Sequence, residues 1–428
     1  MTARAAAMAS AGAPVLFLPG CVGFYLAARL CITYLFFQAE PQAGAMVTFG
    51  LQSALLSAAA FYSFGPGTEK LRVMLRVKPF LWVMGFLAVG LCSLSWSATV
   101  SVPVAVAYWS ELAGQVAMVV LVLRAGDGER IAASVMRGYV AGACLVALVA
   151  WMSPTMRDLR PGNDDFFSPN AIGFTCALGV YLLQYLSRRE GAWSAWSRVV
   201  ATLLAITLLR TLSKTTIAAF VVGQIYLLVF DRGMSRKSKV AMGLASLAVV
   251  AAFWPLIAHY AVVYENAGNQ SETLTGRLGI WTFVLTRALE QPWIGHGFHS
   301  FRNVIPPFGS FEAWHAHNEL LQQFYTYGVV GIVLLTGTYW SLYRYARAVA
   351  GPEVRVLVKS LLVFVVVRGL ADTENFDLSL PLWLITLLSL TLAKRGQVGE
   401  GCAGHGSGGE VRAIHAAGKR SALEGCVG

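Results

Sequence analysis

The chain has 428 residues, of which 56% are hydrophobic and only 13% are charged, and its mean hydropathy is +0.60. This composition excludes a soluble globular protein, because no soluble core of this size needs so much apolar sequence. Apolar runs of about 20 residues recur along the chain and predict an all-α polytopic membrane protein.

The net charge of +11 would suggest a nucleic-acid partner if the cations were spread evenly. Instead, most of the 33 Lys and Arg fall on the side of the two termini once the predicted spans are drawn, as the positive-inside rule requires. We therefore expect both termini in the cytoplasm and no nucleic-acid partner. The sequence has no phosphate-binding loop or dinucleotide fingerprint, so we expect no cofactor.

The apolar runs predict about twelve transmembrane helices. In chain order they cover approximately residues 15–37, 45–64, 79–95, 104–123, 131–152, 170–186, 199–213, 215–230, 239–258, 319–343, 356–371 and 379–393. The seventh and eighth are separated only by the polar SKT step, and we predict two spans because one broken helix would move later basic loops outside. These helices form one domain, residues 1–395, with a long periplasmic loop at residues 259–318. Residues 396–428 are Gly-rich and are predicted to form a disordered cytoplasmic tail.

The long loop contains a predicted helix that begins near Thr275 and ends before Pro292. Its apolar face is formed by Leu278, Trp281, Leu285 and Leu289. Arg277 and Arg287 lie off that face. The helix therefore either lies in the membrane interface with its arginines near lipid headgroups, or packs on the spans with its arginines in solvent.

The HAHNEL segment follows the loop, directly before the tenth predicted span. Asn318 can cap that helix, which places His317 at a helix N-terminus. The partial positive charge there disfavours the imidazolium form, and a neutral imidazole at the membrane surface suits a general base for a sugar hydroxyl. For a single histidine, the plainer interpretation is a side chain that only hydrogen-bonds at the headgroup boundary.

A metal site is the rival use of these histidines. The pairs His296-x-x-His299 and His315-x-His317 supply possible zinc ligands, and Glu312 or Glu319 a carboxylate. Their spacing does not match a tight zinc pattern, so we predict no metal.

Cations come from three external segments of the same predicted face. They are Arg160, Arg210, Lys214, Arg277 and Arg287. A charged residue at the end of a short apolar span is costly unless it meets an anion, and one diphosphate would satisfy all of them. Alternatively, each cation reaches solvent or pairs with a carboxylate of the same face, namely Asp164, Asp165, Asp372 or Glu374.

At these residues the sequence resembles the O-antigen ligases and, more broadly, the ligase and polymerase superfamily of bacterial surface-glycan enzymes. The matching residues of the loop and the following helix are Arg277, Trp281, Pro292, Gly295-His296-Gly297, His317-Asn318, and Gly328 with Gly331. Earlier, Pro169-Asn170-Ala171-Ile172-Gly173 resembles the family's Pro-Asn-x-x-Gly element. Ser213-Lys214-Thr215-Thr216 resembles its Ser-x-Ser-Arg step, with a shifted lysine as the basic residue and Arg210 one helical turn before it.

The resemblance implies a fold like the C-type glycosyltransferases and a metal-independent, inverting reaction. The family transfers O-antigen from undecaprenyl diphosphate to a sugar hydroxyl of lipid A–core oligosaccharide, on the periplasmic side of the Gram-negative inner membrane. His317 is then the general base, and Arg277 with Lys214 or Arg210 stabilises the leaving diphosphate. The further site residues implied are Arg160, Asn170, Trp281, Arg287, His315 and Asn318, with Asp372 or Glu374 as a carboxylate that orients His317 or the acceptor.

Three alternatives remain open. An O-antigen polymerase or a protein O-oligosaccharyltransferase of the same superfamily uses the same donor chemistry with another acceptor. A secondary anion transporter belongs to a different class, and it would place ionisable residues near the membrane midplane. Here the ionisable residues are predicted to cluster at one external face, which favours the enzyme.

Overall fold

The computed structural model describes residues 2–64, 71–156, 159–163, 167–191, 193–237, 274–302, 305, 313–373 and 375–406, together with short pieces of 239–259. Every regular element in this part of the chain is a helix, apart from one isolated β-bridge between Thr155 and Pro161. The predicted all-α class is therefore confirmed.

Thirteen α-helices are described. They are α1 (Thr2–Phe36), α2 (Pro41–Tyr62), α3 (Leu71–Met74), α4 (Lys78–Ser93), α5 (Val102–Arg124), α6 (Gly128–Met152), α7 (Pro169–Glu190), α8 (Ala195–Arg210), α9 (Lys214–Phe230), α10 (Leu274–Ala288), α11 (Glu319–Val349), α12 (Pro352–Gly369) and α13 (Leu382–Gly406). A short 3₁₀ turn at Asn375–Asp377 lies between the last two.

Several helices are long and apolar enough to cross a membrane. Five of those described meet this standard by length and composition: Leu16–Phe36 within α1, and α2, α5, α6 and α11. Large apolar side chains such as Phe61, Phe64 and Trp196 stay exposed on the outer helix faces, as contact with lipid requires. The chain is thus a multi-pass membrane protein, and the count of twelve spans stays a prediction.

Two parts of the predicted organisation are only partly described. They are the ninth span at 239–258 and the loop at 259–318, of which residues 260–273, 303–304 and 306–312 lie outside the described part. At the other end, α13 continues to Gly406, so residues 396–406 of the predicted tail are helical, and residues 407–428 lie outside the described part.

The helices pack closely where small residues meet. A Cβ added to Gly23 of α1 would lie 1.9 Å from the carbonyl oxygen of Val135 in α6, and one added to Gly138 would lie 2.0 Å from that of Gly20. Only glycine permits such an approach of two backbones, and small residues at helix contacts are typical of membrane bundles.

The helix α11 reverses direction at Gly328, which corrects the prediction of one continuous span at 319–343. Gly328 has φ +62° and ψ −148°. Beyond it the chain folds back, so that the Tyr339 hydroxyl donates to Glu319 Oε1 at 2.8 Å, and a Cβ on Gly331 would meet the Gln323 carbonyl oxygen at 2.3 Å. We call residues 319–327 α11a and residues 329–349 α11b. The latter is about 30 Å long, which is enough to cross the hydrocarbon core alone.

The loop before α11 holds this reversal in place. The Val329 amide donates to the Pro292 carbonyl at 2.8 Å, and the amides of His296 and Gly297 donate to the carbonyls of Tyr325 and Thr326. The amide and carbonyl groups freed at the kink are thereby satisfied.

The predicted loop helix exists as α10, but it packs by a different face. Ile280, Val284 and Ala288 are buried against the segments around α11a. The predicted apolar stripe stays exposed at Leu278, Leu285 and Leu289. The helix therefore has two apolar faces, one toward the protein and one outward.

Candidate active site

His317 and Asp372 form the centre of the site. His317 Nδ1 lies 3.3 Å from Asp372 Oδ1, and the carboxylate is fully buried while the imidazole keeps 16% of its side-chain surface exposed. A carboxylate accepts, so the Nδ1–H of His317 donates, and the acceptor lone pair of the ring is on Nε2. This arrangement orients the imidazole as a proton acceptor.

Arg368 holds the other side of the same carboxylate. Its Nη2 lies 3.1 Å from Asp372 Oδ2, and the Thr373 amide donates to Oδ1. Burial alone would raise the pKa of Asp372, but the charge of Arg368 and the hydrogen bond from His317 outweigh it and lower this pKa below its usual value. Asp372 is therefore ionised, as an orienting group for an imidazole must be.

His315 packs against His317, with ring centroids 4.1 Å apart. The backbone amide of His317 donates to His315 Nδ1 at 3.2 Å, so Nδ1 is an acceptor and the proton lies on Nε2. Burial, with the adjacent His317, places the pKa of His315 well below its usual value. His315 thus adds no positive charge beside His317.

The surrounding hydrogen bonds fix the backbone of the HAHNEL segment. The indole of Trp281 donates to the Ala316 carbonyl at 2.9 Å, which ties α10 to the segment. Asn318 accepts from the Leu321 amide at 3.0 Å, which confirms the predicted N-cap, and its Nδ2 donates to the Leu370 carbonyl. His317 itself has φ +50°, a left-handed conformation that these contacts maintain.

Arg368 also connects this pair to the step between α8 and α9. Its Nε donates to Thr216 Oγ1 at 3.1 Å, and its guanidinium lies 4.7 Å from the centre of the Phe174 ring. The Ser213 hydroxyl lies 2.9 Å from that of Thr216 and 2.7 Å from Asn170 Oδ1. The two motifs predicted from separate spans, at Asn170 and at the SKT step, therefore meet.

The N-terminus of α9 opens beside this network. Lys214 is its first residue and is exposed, and the N-cap Ser213 makes no side-chain hydrogen bond to the helix amides. A helix start without a side-chain cap has amide donors and a partial positive charge available to an anion.

Arg210 and Arg160 contribute to the wall of this region. Arg210 donates to the Leu159 carbonyl at 3.0 Å and lies 5.8 Å from the Trp151 ring centre. Arg160 is buried, with 7% of its surface exposed. Of the two candidates for the family arginine, Lys214 is therefore the more accessible and Arg210 the more engaged in packing.

The two arginines of α10 have different surroundings. Arg277 is half-buried one turn before Trp281, and within the described residues it forms no ion pair. Arg287 is exposed and pairs with Glu290 at 3.1 Å. Because residues four apart share a helix face, Arg277 lies on the side where Trp281 contacts the HAHNEL segment, whereas Arg287 is near the other end of α10.

The structure brings together a set of possible metal ligands that differs from the predicted one. Ligand atoms of His315, His317 and Asp372 lie within 4.8 Å of one another. However, Arg368 occupies Oδ2 of that carboxylate and His315 Nδ1 already accepts a hydrogen bond, so the group fits a hydrogen-bonded base better than a metal centre.

The other predicted histidine pair is separated. His296 Nε2 is 2.8 Å from the Arg287 carbonyl oxygen and its ring stacks on Tyr325, whereas His299 Nδ1 is 3.1 Å from Thr99 Oγ1. Burial, followed by the charge of Arg302, lowers the pKa of His299 to about 4. Glu312 and Glu374, both considered as carboxylates of the site, lie outside the described residues, as do Asp164 and Asp165.

Buried charges also occur inside the bundle, which the sequence argument underestimated. Arg29 of α1 forms an ion pair with Glu111 of α5, and its guanidinium lies 5.6 Å from the Phe376 ring centre. Arg302 lies 3.7 Å from Asp377. Both arginines have carboxylate partners. Both pairs also contact the segment that follows Asp372, so they help to hold this segment in place.

An apolar groove of about 600 Å³ leads away from the site between α9, α11b and α12. Glu319, Gly369 and Leu370 line it next to Asn318 and Asp372, and Tyr343 and Lys359 line its other end. Leu370 and Trp340 are more than half exposed, so the groove opens on the outer face of the bundle.

The sequence interpretation missed Arg368 and Thr216. Arg368 has no exposed surface, and its signal was an arginine inside an apolar helix four residues before Asp372, a spacing that brings two side chains together. Thr216 lay in the quoted SKTT step, but its role as the partner of Arg368 depends on a contact across 152 residues.

Comparisons with known proteins agree with the motifs. Residues 199–336 match the family model described as O-antigen ligase. The chain is also 24% identical over 294 residues to the exopolysaccharide production protein ExoQ of Rhizobium meliloti (strain 1021), a match that covers 62% of this chain and 65% of the relative. The chain therefore spans just under two thirds of that relative's length.

The matched region contains Arg210, Lys214, Arg277, Trp281 and His317, whereas Arg368 and Asp372 follow it. Members of this family are glycosyltransferase-like enzymes of glycan assembly. Residues 199–336 are thus similar to the O-antigen ligase family, the family that the motifs also resemble.

Proposed function

We propose that this protein is an O-antigen ligase. It transfers O-antigen from undecaprenyl diphosphate to a sugar hydroxyl of lipid A–core oligosaccharide, at the periplasmic face of the inner membrane, with inversion and without a metal. The observation that supports this most directly is the His317–Asp372 pair beside the head of a membrane-facing apolar groove.

His317 acts as the general base. Its Nε2 accepts the proton of the acceptor hydroxyl while the oxygen attacks the anomeric carbon, and Asp372 stabilises the imidazolium that forms. A positioned base is typically worth about 10²- to 10⁴-fold in rate. Arg368 keeps Asp372 ionised for this task.

The cations stabilise the leaving group. As the bond from the anomeric carbon to the diphosphate oxygen breaks, the diphosphate gains negative charge. Lys214, the uncapped amides at the start of α9 and Arg277 are the donors accessible to it. Because these donors stabilise its negative charge, the diphosphate is a sufficient leaving group and the reaction needs no ATP.

The groove suits the lipid part of the donor. It is lined mainly by aliphatic and aromatic side chains, opens on the outer face and begins at Glu319, two residues after His317. A polyprenyl chain that enters from the bilayer would lie there with its diphosphate near α9 and His317.

A polymerase that joins glycan repeats by the same chemistry is the second candidate. The observation in its favour is the similarity to ExoQ, which is named as an exopolysaccharide production protein. Acceptor identity alone separates the two functions, because donor, base and leaving group are the same.

The test replaces His317 or Arg277 with Ala in a cell that lacks its own ligase, and resolves lipopolysaccharide on a gel. We expect both variants to lose the O-antigen ladder at unchanged protein level. His296→Ala and Arg287→Ala are the matched controls, because these side chains lie near the other end of α10. A full ladder from His317→Ala would reject the general base.

The same cells distinguish the alternatives. Loss of a ligase leaves lipid A–core without any O-antigen, whereas loss of a polymerase leaves core with one repeat. If the unmodified protein restores no ladder with a matched core acceptor, the ligase function is wrong and the polymerase is tested next in exopolysaccharide-deficient cells.

A further inference from the structure

Glu319 is a buried carboxyl at the head of the groove that the mechanism above does not use. It follows Asn318, keeps 3% of its surface exposed and lines the groove together with Gly369 and Leu370. Buried ionisable residues in membrane helices are costly, and they are usually found where they have a function.

Two donors fix one oxygen of this carboxyl. Oε1 accepts from the Tyr339 hydroxyl at 2.8 Å and from the Ser379 amide at 2.6 Å. When the carboxyl is neutral, its proton therefore lies on Oε2, because Oε1 is already an acceptor for two hydrogens.

Burial favours the neutral form of Glu319, and it is opposed by the donors on the carboxyl and by the charge of Arg368. No cation of the described chain lies within ion-pair distance of Glu319. The nearest charged group on α12, Arg368, is engaged by the ionised Asp372 at 3.1 Å. A buried carboxyl without an ion-pair partner favours its protonated form, because burial penalises the charge.

The position of Oε2 depends on Gly369. A Cβ at residue 369 would lie 2.6 Å from Oε2, so only glycine leaves room for this oxygen at the end of α12. Glu319 and Gly369 both line the groove, so the carboxyl lies at the groove head.

We propose that Glu319, in its neutral form, donates a hydrogen bond from Oε2 to a phosphate oxygen of a prenyl diphosphate whose chain occupies the groove. This role rests on the proposed function and adds a donor-binding residue to it. Ionisation of Glu319 would remove the hydrogen and place a negative charge against the phosphate. Binding of the lipid donor is therefore linked to one proton.

Several other titratable groups lie near Glu319. Tyr339 comes from α11b, Arg368 from α12, and Asp372 and His317 from the adjoining segments, while Tyr226, Tyr343 and Lys359 line the rest of the groove. A variant of Glu319 itself is therefore needed to assign a pH dependence of binding to this residue.

The experiment measures binding of undecaprenyl diphosphate to the purified full chain in phosphatidylcholine nanodiscs between about pH 6 and about pH 9. We expect wild-type affinity to fall about 10- to 100-fold over this range, the size expected for a hydrogen bond to a charged group. Glu319→Gln, an uncharged isostere that keeps a donor and an acceptor, is expected to lose this dependence, whereas His317→Gln is expected to keep it.

Several results would overturn the proposal. A pH-independent wild-type affinity would do so without any variant, and so would Glu319→Gln that retains the wild-type slope. Glu319→Met with wild-type affinity near pH 6 would show that no hydrogen bond is made. The wild-type titration remains decisive if a variant fails to fold.

Competition identifies the source of the phosphate. Neither inorganic diphosphate nor phosphatidylglycerol should displace the prenyl diphosphate at equal concentration, because the first lacks the chain and the second the diphosphate. Equal displacement by phosphatidylglycerol would mean a general lipid site and would reject the assignment. Absence of any binding by the wild type would instead reject the proposed function, and this role with it.

Discussion

Replacement of Arg368 by Met is the sharpest test of the site's electrostatics. Arg368 and Asp372 are both essentially inaccessible to solvent, and their charged atoms lie 3.1 Å apart. Removal of one partner of a buried ion pair leaves an uncompensated charge, which typically costs about 3–5 kcal/mol. His317 still donates to Asp372, so we place the expected loss at the lower end, about 3 kcal/mol.

The paired variant separates charge from packing. Arg368→Met with Asp372→Asn removes both charges, so we expect it to be more stable than Arg368→Met alone by about 1–3 kcal/mol at neutral pH. Denaturant unfolding in one detergent, followed by tryptophan fluorescence, measures both differences. The double variant is expected to remain inactive, because Asn cannot stabilise an imidazolium as a carboxylate does.

The free energies of unfolding of the wild type and of Arg368→Met are expected to depend differently on pH. In the wild type the pKa of Asp372 is lowered, so the pair's stabilisation is present above the unfolded value of about 3.9 and is lost only as pH falls through the lower folded pKa. In Arg368→Met burial raises that pKa, and protonation relieves the buried charge as pH falls. The stability gap between the two proteins should therefore narrow from about pH 7 to about pH 4.

Two outcomes would refute this reasoning. One is a gap that stays constant with pH, which would mean that Arg368 stabilises the fold only by packing. The other is a double variant that is less stable than Arg368→Met, because Asp372 would then have another cation as its partner.

Three further predictions follow from particular contacts. Trp281→Phe loses the hydrogen bond to Ala316 and should reduce transfer about tenfold at unchanged protein level, as a misplaced base would, in a ladder assay quantified by densitometry. Gly328→Ala should destabilise the fold by at least about 1–2 kcal/mol, because φ is +62° and a Cβ would meet the Pro292 carbonyl oxygen at 2.5 Å. The control Gly279→Ala, with open space around it in α10, should be neutral or stabilising in the same unfolding assay. Finally, excess chelator should leave transfer unchanged, and loss of activity that zinc restores would mean that His315, His317 and Asp372 bind a metal.

Local patterns predicted the parts of the site that depend on neighbouring residues. The sequence predicted Asn318 as the N-cap of the following helix because an Asn side chain can accept from the amide two or three residues later. The structure has this hydrogen bond, from the Leu321 amide. The break between α8 and α9 followed from the polar SKT step, and α9 does begin at Lys214. The sequence predicted Asp372 only as one of two candidate orienting carboxylates, and the other, Glu374, lies outside the described residues.

Long-range contacts decided the rest, and no local pattern encodes them. The face of α10 that packs on the protein is a second one, at Ile280, Val284 and Ala288, which the stripe at Leu278, Leu285 and Leu289 did not reveal. Arg368 was hidden for a related reason, because its partner Thr216 is 152 residues away. Spans were likewise counted by hydropathy, and hydropathy does not detect a reversal within an apolar run.

That reversal at Gly328 explains how His317 can lie next to the head of the apolar groove. In a continuous helix from Glu319 to Val349, residues 319 and 339 would be about 30 Å apart, and the HAHNEL segment would stand clear of the membrane. Because the chain turns back, Glu319 reaches Tyr339 on α11b, and His317 comes next to the end of α12, where Asp372 follows. Gly328 and Gly331 are thus the turn and the close contact that bring the start of α11a back beside α11b.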